Sequence, residues 1–383
     1  MIENQNVKNR LSWWEYDHFL KGLDYTIIGS GIVGLSTAIE LKLVNPSSKV
    51  LVIDKKRLPF GASTKNAGFA CFGSISEILD DYNTYGEEDC QKLIQMRWTG
   101  LSILKERISP VTMNYKQESG AEIFNSEEDH SFYEDKLSWV NSFVSAIVKN
   151  DNSFHSQNGK FGNEIINKLE GSINPQMMMV ELERIARNLG VLFMTGIEVK
   201  VINYDEKSLN TDIGSMDYNQ LIICTNGFSK ALLPESDIQP ARNQVFITFK
   251  IPGFKLDHCY HMNKGYVYFR EYDGRLLIGG GRNIDLAREA TDELGTTDLI
   301  SKYLNDIVGQ RILPQQPYSI EHSWSGILGV GDTKMPMVKM IDKNVLVAIR
   351  MGGMGVAIGS FIGKVAASMM QSIDNSVHQL YVS

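Results

Sequence analysis

The sequence is poor in cysteine: Cys71, Cys90, Cys224 and Cys259 are all it has in 383 residues. No two form a C-x-x-C pair, and no histidine stands beside one at a ligand spacing. A disulfide scaffold and a zinc-ribbon site are excluded, and buried thiols in a reducing compartment are expected. No metal site is expected. An excess of positive charge is also missing. Lys plus Arg number 38 against 45 Asp plus Glu, a net charge of −7. A broad nucleic-acid-binding face is therefore excluded. Long apolar runs are missing too. A bilayer span takes about 20 apolar residues, and the best stretch, 344–370, is interrupted by Arg350 and Lys364. The opening MIENQNVKNR has no apolar centre and no cleavage site, so no signal peptide is expected. These absences together predict a cytoplasmic protein without a membrane span.

What is present is an ordinary globular composition, 43% hydrophobic and 22% charged, which excludes a disordered chain. At roughly 100–200 residues per domain, the length suggests two or three domains. The clearest unit lies near the start. Asp24–Ile28 reads as a short buried strand, followed by GSGIVG at Gly29–Gly34. A helix over Leu35–Val44 and a second strand over Val50–Asp54 complete it. This is β-turn-α-β, hence a parallel pair with a right-handed crossover. Gly29 allows the tight turn, Gly31 lets the backbone approach a pyrophosphate, and Gly34 lets helix and strand pack closely. Ile32 and Val33 open the helix, whose free N–H groups and dipole favour a phosphate. Asp54, with Lys55 beside it, ends the second strand where a carboxylate accepts ribose hydroxyls. The unit predicts dinucleotide binding.

Further along, helices are expected over 76–108, 126–148, 175–188 and 298–307. Strands are expected over 113–115, 121–124, 191–194, 198–202, 209–211, 221–224, 245–249 and 345–349. Tyr266–Arg270 and Leu276–Ile278, with Gly274 between them, predict a hairpin. Leu11–Leu20 reads as a short helix capped by Ser12 and Glu15. Its Trp13 and Trp14 are expected to anchor it to the body. After the second strand the chain enters GASTKNAGFACFGS, 61–74, a nearly uncharged, hydroxyl-rich segment suited to wrapping a ligand.

Several ordered blocks now carry a resemblance. DYTIIGSGIVGLSTAIEL, GASTKNAG, INPQMMMVELERIARNLGVLF, LIICTNGF, QPARNQV, DGRLLIGGG and MGGMGVAIGSFIGKVAA resemble, in order, the FAD-dependent oxidoreductases of the D-amino acid oxidase, glycine oxidase and sarcosine oxidase type. The resemblance implies an α/β fold: a glutathione-reductase-like, Rossmann FAD-binding domain with an inserted mixed or antiparallel-sheet substrate domain. The FAD domain would comprise 1–75, 171–235 and 320–383, and the substrate domain 76–170 and 236–319. It implies non-covalent FAD. Ser63, Thr64 and Asn66 would serve the pyrophosphate and ribityl chain. Ala67, Gly68 and Phe69 would run past the flavin ring, and Val199 would read the adenine edge. Thr225, Asn226 and Gly227 would turn under the phosphates. Gly352, Gly353, Met354, Gly355 and Val356 would open the last helix toward the flavin, where backbone N–H groups stabilise negative charge.

The departures concern the substrate. Relatives carry an arginine for the substrate carboxylate in W-x-G-x-R, whereas this chain reads Trp324-Ser325-Gly326-Ile327-Leu328. Relatives of the sarcosine type place a lysine after the hairpin glycine, whereas this chain has Leu276 and Leu277. Asn243 replaces the glycine of Pro-x-Arg-Gly-Gln. Candidate catalytic or substrate-binding groups are Tyr266, Tyr268 and Arg270 on one strand face and Arg350 before the last glycine turn, with Arg242 and Arg282 weaker. His258 and His261 are expected at the surface. The reading is an oxidoreductase passing a hydride from an amine or amino-acid-like small molecule to FAD, with an unspecified electron acceptor and oligomeric state. A flavin-dependent 2-hydroxy-acid or alcohol dehydrogenase, or a flavin-binding subunit with little activity, remain alternatives.

Overall fold

The computed structural model describes residues 6–57 and 60–371. The N-terminal and C-terminal ends of the expected FAD domain, 1–5 and 372–383, thus lie outside the described residues. Tyr25–Ile28 sits at the centre of a parallel sheet, between Val50–Asp54 and Gln220–Ile223. Leu192–Thr195 extends one side and Val345–Ile349 the other, both parallel. Met337–Asp342 closes the edge antiparallel. Both faces of this sheet are covered, which is why its strands read as unbroken apolar runs. One face carries the helices Ile32–Val44, Ile75–Arg107, Pro175–Asn188 and Gly355–Gln371 in a single core. The other carries a three-stranded antiparallel sheet, Val199–Asn203, Ser208–Thr211 and Gly214–Asp217.

A second sheet of eight strands stands over the first. Its order is Ile320–Val330, Gln239–Thr248, Arg275–Gly280, Val267–Tyr272, Cys259–Met262, Gly120–Ile123, Gly162–Asn167 and Phe154–Gly159. Neighbours are antiparallel except Cys259–Met262 with Gly120–Ile123. The expected hairpin is present: Asp273 and Gly274 both have positive φ, 53° and 75°, as a tight two-residue turn requires. Among the described residues no helix is long and apolar enough to cross a membrane.

Several expectations are corrected. Ile320–Val330 pairs along its length with Gln239–Thr248, so residue 320 begins a strand of the covering sheet. The helix Ile75–Arg107 leans on the parallel-sheet layer, and a Cβ at Gly100 would stand 2.0 Å from the Ala357 carbonyl oxygen. Residues 113–115 form a turn, with Asn114 at φ 50° and Tyr115 N–H donating to the Pro110 carbonyl. Phe154–Gly159 and Gly162–Asn167 form a hairpin with no alternating apolar pattern to announce it. At the N-terminus the capping box of Ser12 and Glu15 is made, but Trp13 and Trp14 are 59% and 80% exposed. Trp13 packs locally, on Tyr16 and under the Lys21 ammonium, rather than onto the body.

Candidate active site

The groove at the carboxyl end of the central strands is made by missing side chains. Gly29 has φ 107°, and a Cβ there would meet the Cys224 carbonyl oxygen at 2.8 Å. A Cβ at Gly34 would stand 1.9 Å from the Gly29 oxygen. Gly31 is the N-cap of Ile32–Val44 and has no capping side chain. Instead Ser63 Oγ reaches across from the second segment and accepts from Ile32 N–H at 3.0 Å. Asp54 Oδ2 accepts from the Ser30 N–H and hydroxyl at 2.8 and 2.7 Å, and Oδ1 from Lys56 N–H at 3.0 Å. A carboxylate offers about four lone-pair sites, so one remains for a ribose hydroxyl. Lys55, Val199 and the turn Thr225–Gly227 line the groove with these groups.

Ala62 lines both this groove and a cavity of about 240 Å³ between the two sheets. One wall is Gly352, Gly353, Met354 and Val356, at the N-terminal end of the helix Gly355–Gln371. That helix end presents unpaired N–H groups and partial positive charge. Asn66, Ala67 and Phe69 border the cavity from the second segment. Asn243, Tyr266 and Tyr268 come from the covering sheet. Groove and cavity together form one cleft of a shape to take a dinucleotide extended along the parallel sheet, with its ring end under the covering sheet. The residues present fit FAD: a cradle that added Cβ atoms would fill, a carboxylate with an acceptor site open, and a helix N-terminus on the cavity wall.

Other sequence candidates are elsewhere or do other work. Ile32, Val33, Gly34, Thr64, Gly68 and Gly355 line neither space. Asn66 spends its side chain on its own loop, donating to the Ala62 and Ser63 carbonyls and accepting from Gly68 N–H. Asn226 Oδ1 accepts from the N–H groups of Arg350 and Met351, holding the last glycine turn in place. Arg270 is buried and donates to the Ala67 and Ile173 carbonyls at 2.7 and 3.1 Å. It fixes the Ala67–Gly68 stretch. Arg350 does not line the cavity; its guanidinium is paired with Asp237 and the Met335 carbonyl.

His261 corrects the surface expectation. It is buried on the cavity wall, edge-on to Phe69, and bonded to Glu170 at 3.0 Å. No sequence signal marked it, because its partner is 91 residues away. Burial alone would lower its pKa. The charge and hydrogen bond of Glu170, with Glu77 and Glu122 nearby, instead push it up to about 9. Cys71 lies within 4.8 Å of this pair, but burial and Glu170 hold its thiol protonated. A folded value of about 9 against 6.5 when unfolded means the imidazolium stabilises the fold fully below about pH 6.5, and that this is lost as pH rises through 9. Buried Glu122, raised to about 7, acts at lower pH. The chemical denaturation midpoint is therefore expected to fall between about pH 7 and pH 10, and His261→Gln to flatten that slope.

The family described as FAD dependent oxidoreductase matches residues 24–369. Gamma-glutamylputrescine oxidoreductase of Escherichia coli (strain K12) is 22% identical over 373 residues, covering 91% of this chain and 83% of that protein. Among solved structures, glycine oxidase from Geobacillus kaustophilus superposes with a TM-score of 0.72 at 17% identity, over 92% of this chain and 95% of that one. L-proline dehydrogenase from P. horikoshii gives 0.71 at 17% identity, over 92% and 94%. At these identities the structural likeness concerns the fold.

Proposed function

The chain belongs to the FAD dependent oxidoreductase family, and from that premise we propose that it oxidises an amine at the carbon beside nitrogen. The observation that carries the reading is the single cleft: a groove built for the adenosine diphosphate end opens past Ala62 into a cavity roofed by Tyr266, Tyr268 and Asn243. The names of the Escherichia coli relative and of the glycine oxidase support an amine as substrate. FAD supplies the two-electron, hydride-accepting chemistry. The protein's part is to place, dry and polarise. Asp54 and the Ile32–Val44 helix hold the adenosine end. The first turn of Gly355–Gln371 sets its N–H groups where negative charge gathers. Phe69, Val245 and Leu328 make apolar walls that keep water from the reacting carbon. As hydride leaves that carbon, the nitrogen lone pair closes the C=N bond, and water later cleaves it to a carbonyl compound and an amine. No side-chain base is required if the amine enters neutral.

The test is reduction of the bound flavin in the absence of oxygen, with primary and secondary amines, amino acids and 2-hydroxy acids offered in turn. Bleaching of the flavin's visible absorption by one or more amines is the expected result. Bleaching by hydroxy acids alone, or by none of the panel, overturns the reading.

A further inference from the structure

Three segments far apart in the chain meet at one wall of the cavity. Phe69–Ala70 pairs antiparallel with Gly171–Ser172, which brings the next residues, Cys71 and Glu170, opposite one another. His261 comes from Cys259–Met262 in the covering sheet. The Cys71 Sγ, a Glu170 carboxylate oxygen and a His261 ring nitrogen all lie within 4.8 Å of one another. All three residues are buried, at 8%, 1% and 4% exposure. Their spacing in the sequence is that of no ligand motif, so only the fold reveals the set.

Each group is placed as a ligand needs to be. Glu170 stands at the back, off the cavity surface. A Cβ at Gly120 would lie 1.9 Å from Glu170 Oε2, so that missing side chain admits the carboxylate. Oε1 accepts from Asn167 Nδ2 at 3.2 Å and from Gly73 N–H at 3.4 Å, leaving Oε2 to His261. Hydrogen bonds from outside the ligand set orient a ligating carboxylate in this way. Cys71 and His261 stand in front, on the cavity wall. A fourth position therefore opens on the cavity, as in zinc sites that keep one corner for water or an exchangeable ligand. The charges agree. Glu77 and Glu122 face the imidazole along with Glu170. Nearby cations are already paired, Arg97 and Lys334 with Asp81 and Lys264 with Asp80. Arg242 is held by Glu289, while Arg282 and Lys65 lie over the Tyr266 and Phe60 rings. The negative field that keeps protons on His261 and Cys71 also draws a divalent cation into their place.

We propose that Cys71, Glu170 and His261 form a binding site for a zinc-type divalent cation, one soft enough to take sulfur, nitrogen and oxygen donors together. Bonds of about 2.0–2.3 Å place tetrahedral ligand atoms roughly 3.5 Å apart, which small rotations of these three side chains reach. The metal bonds to the sulfur, a ring nitrogen and a carboxylate oxygen. The His261–Glu170 hydrogen bond breaks, and the thiol proton and one imidazolium proton pass to solvent, with no change of oxidation state. Because two protons must leave, the metal is held exchangeably rather than as a structural ion. Magnesium and calcium, which take oxygen donors, do not fit the set. The site goes beyond the amine-oxidation reading and does not depend on it.

The test starts from FAD-loaded protein stripped with a chelator and desalted. Dialysed against zinc chloride, it is expected to bind one zinc per chain, which excess magnesium leaves in place and cadmium displaces. Cys71→Ala and His261→Gln each raise the zinc Kd by about tenfold or more, compared at equal flavin content and with a cooperative melting transition retained. Cys90→Ala, which removes a buried thiol outside the set, leaves the Kd unchanged. Cadmium reads the sulfur ligand directly and needs no variant to fold: the wild type should develop the ultraviolet charge-transfer band of a cadmium–thiolate bond, saturating at one cadmium per chain. Failure to bind zinc, zinc binding unchanged in both Cys71→Ala and His261→Gln, or cadmium bound without the thiolate band overturns the site.

Discussion

Gly31→Val protein is expected to purify without FAD. Strain is not the reason, since Gly31 has φ −74°, a value any residue adopts. The reason is space. A Cβ at Gly31 would already meet Ser63 Oγ at 2.9 Å, and that oxygen is the one accepting from Ile32 N–H. Two further methyl groups fill the floor of the groove where a pyrophosphate meets the helix N-terminus. Asp54→Ala is expected to be milder, because it removes an acceptor rather than the space. Loss of a charge-assisted hydrogen bond weakens FAD by about 1.5–3 kcal/mol, although the Ser30 donors it leaves unpaired add disorder to the turn. The flavin-to-protein absorbance ratio after purification, and the Kd of reconstituted protein, measure both. Acid precipitation of the wild type should leave the flavin in the supernatant. A Gly31→Val protein with full FAD content would contradict the groove as the cofactor site.

Gly363→Val should unfold the protein well below the wild-type temperature. The helix Gly355–Gln371 lies against Ile32–Val44 at a distance set by absent side chains. A Cβ at Gly363 would stand 2.4 Å from Ser36 Cβ and 2.7 Å from Thr37 N, and one at Gly359 would stand 2.6 Å from Ile32 Cγ2. None of these is the loose end of a flexible side chain that turns aside. Overpacking a filled core costs typically 1–3 kcal/mol and occasionally more, and two helix backbones must separate here, so about 3 kcal/mol is expected. The same displacement drags the first turn at Gly355 away from the cavity, so retained FAD should fall with stability. Thermal unfolding with and without added FAD reads both effects. A Gly363→Val protein as stable as the wild type would mean the two helices are not in this contact.

The sequence alone determined the parts whose physics is local. GSGIVG between two short apolar runs specifies strand, turn and helix because Gly34 answers a clash within a few residues of itself and Gly29 one at the end of the adjacent strand, whereas the neighbour of Gly31, Ser63, comes from the later segment. Pro175–Asn188 and Asp298–Ile307 were legible to the residue, because Pro at the first turn and a 3.6-residue apolar period act within one helix. The last helix was legible as well, from the apolar run that follows MGGMG, but the glycine turn before it is held by Asn226, more than a hundred residues away.

The covering-sheet side of the cavity was decided by pairing over long separations. Asn243, Tyr268 and Arg282 are brought to one corner by the register of three strands, and Gly279 matters because of a tyrosine on the strand beside it. Arg350 and Arg270 carried the right charge in the right stretch, yet the folded chain spends one on Asp237 and the other on backbone carbonyls. His261 became a buried cation only when Glu170 arrived from another strand's end. A side chain's charge is written in the sequence; which acid neutralises it, and whether it faces a cavity, depends on contacts between residues tens to hundreds of positions apart.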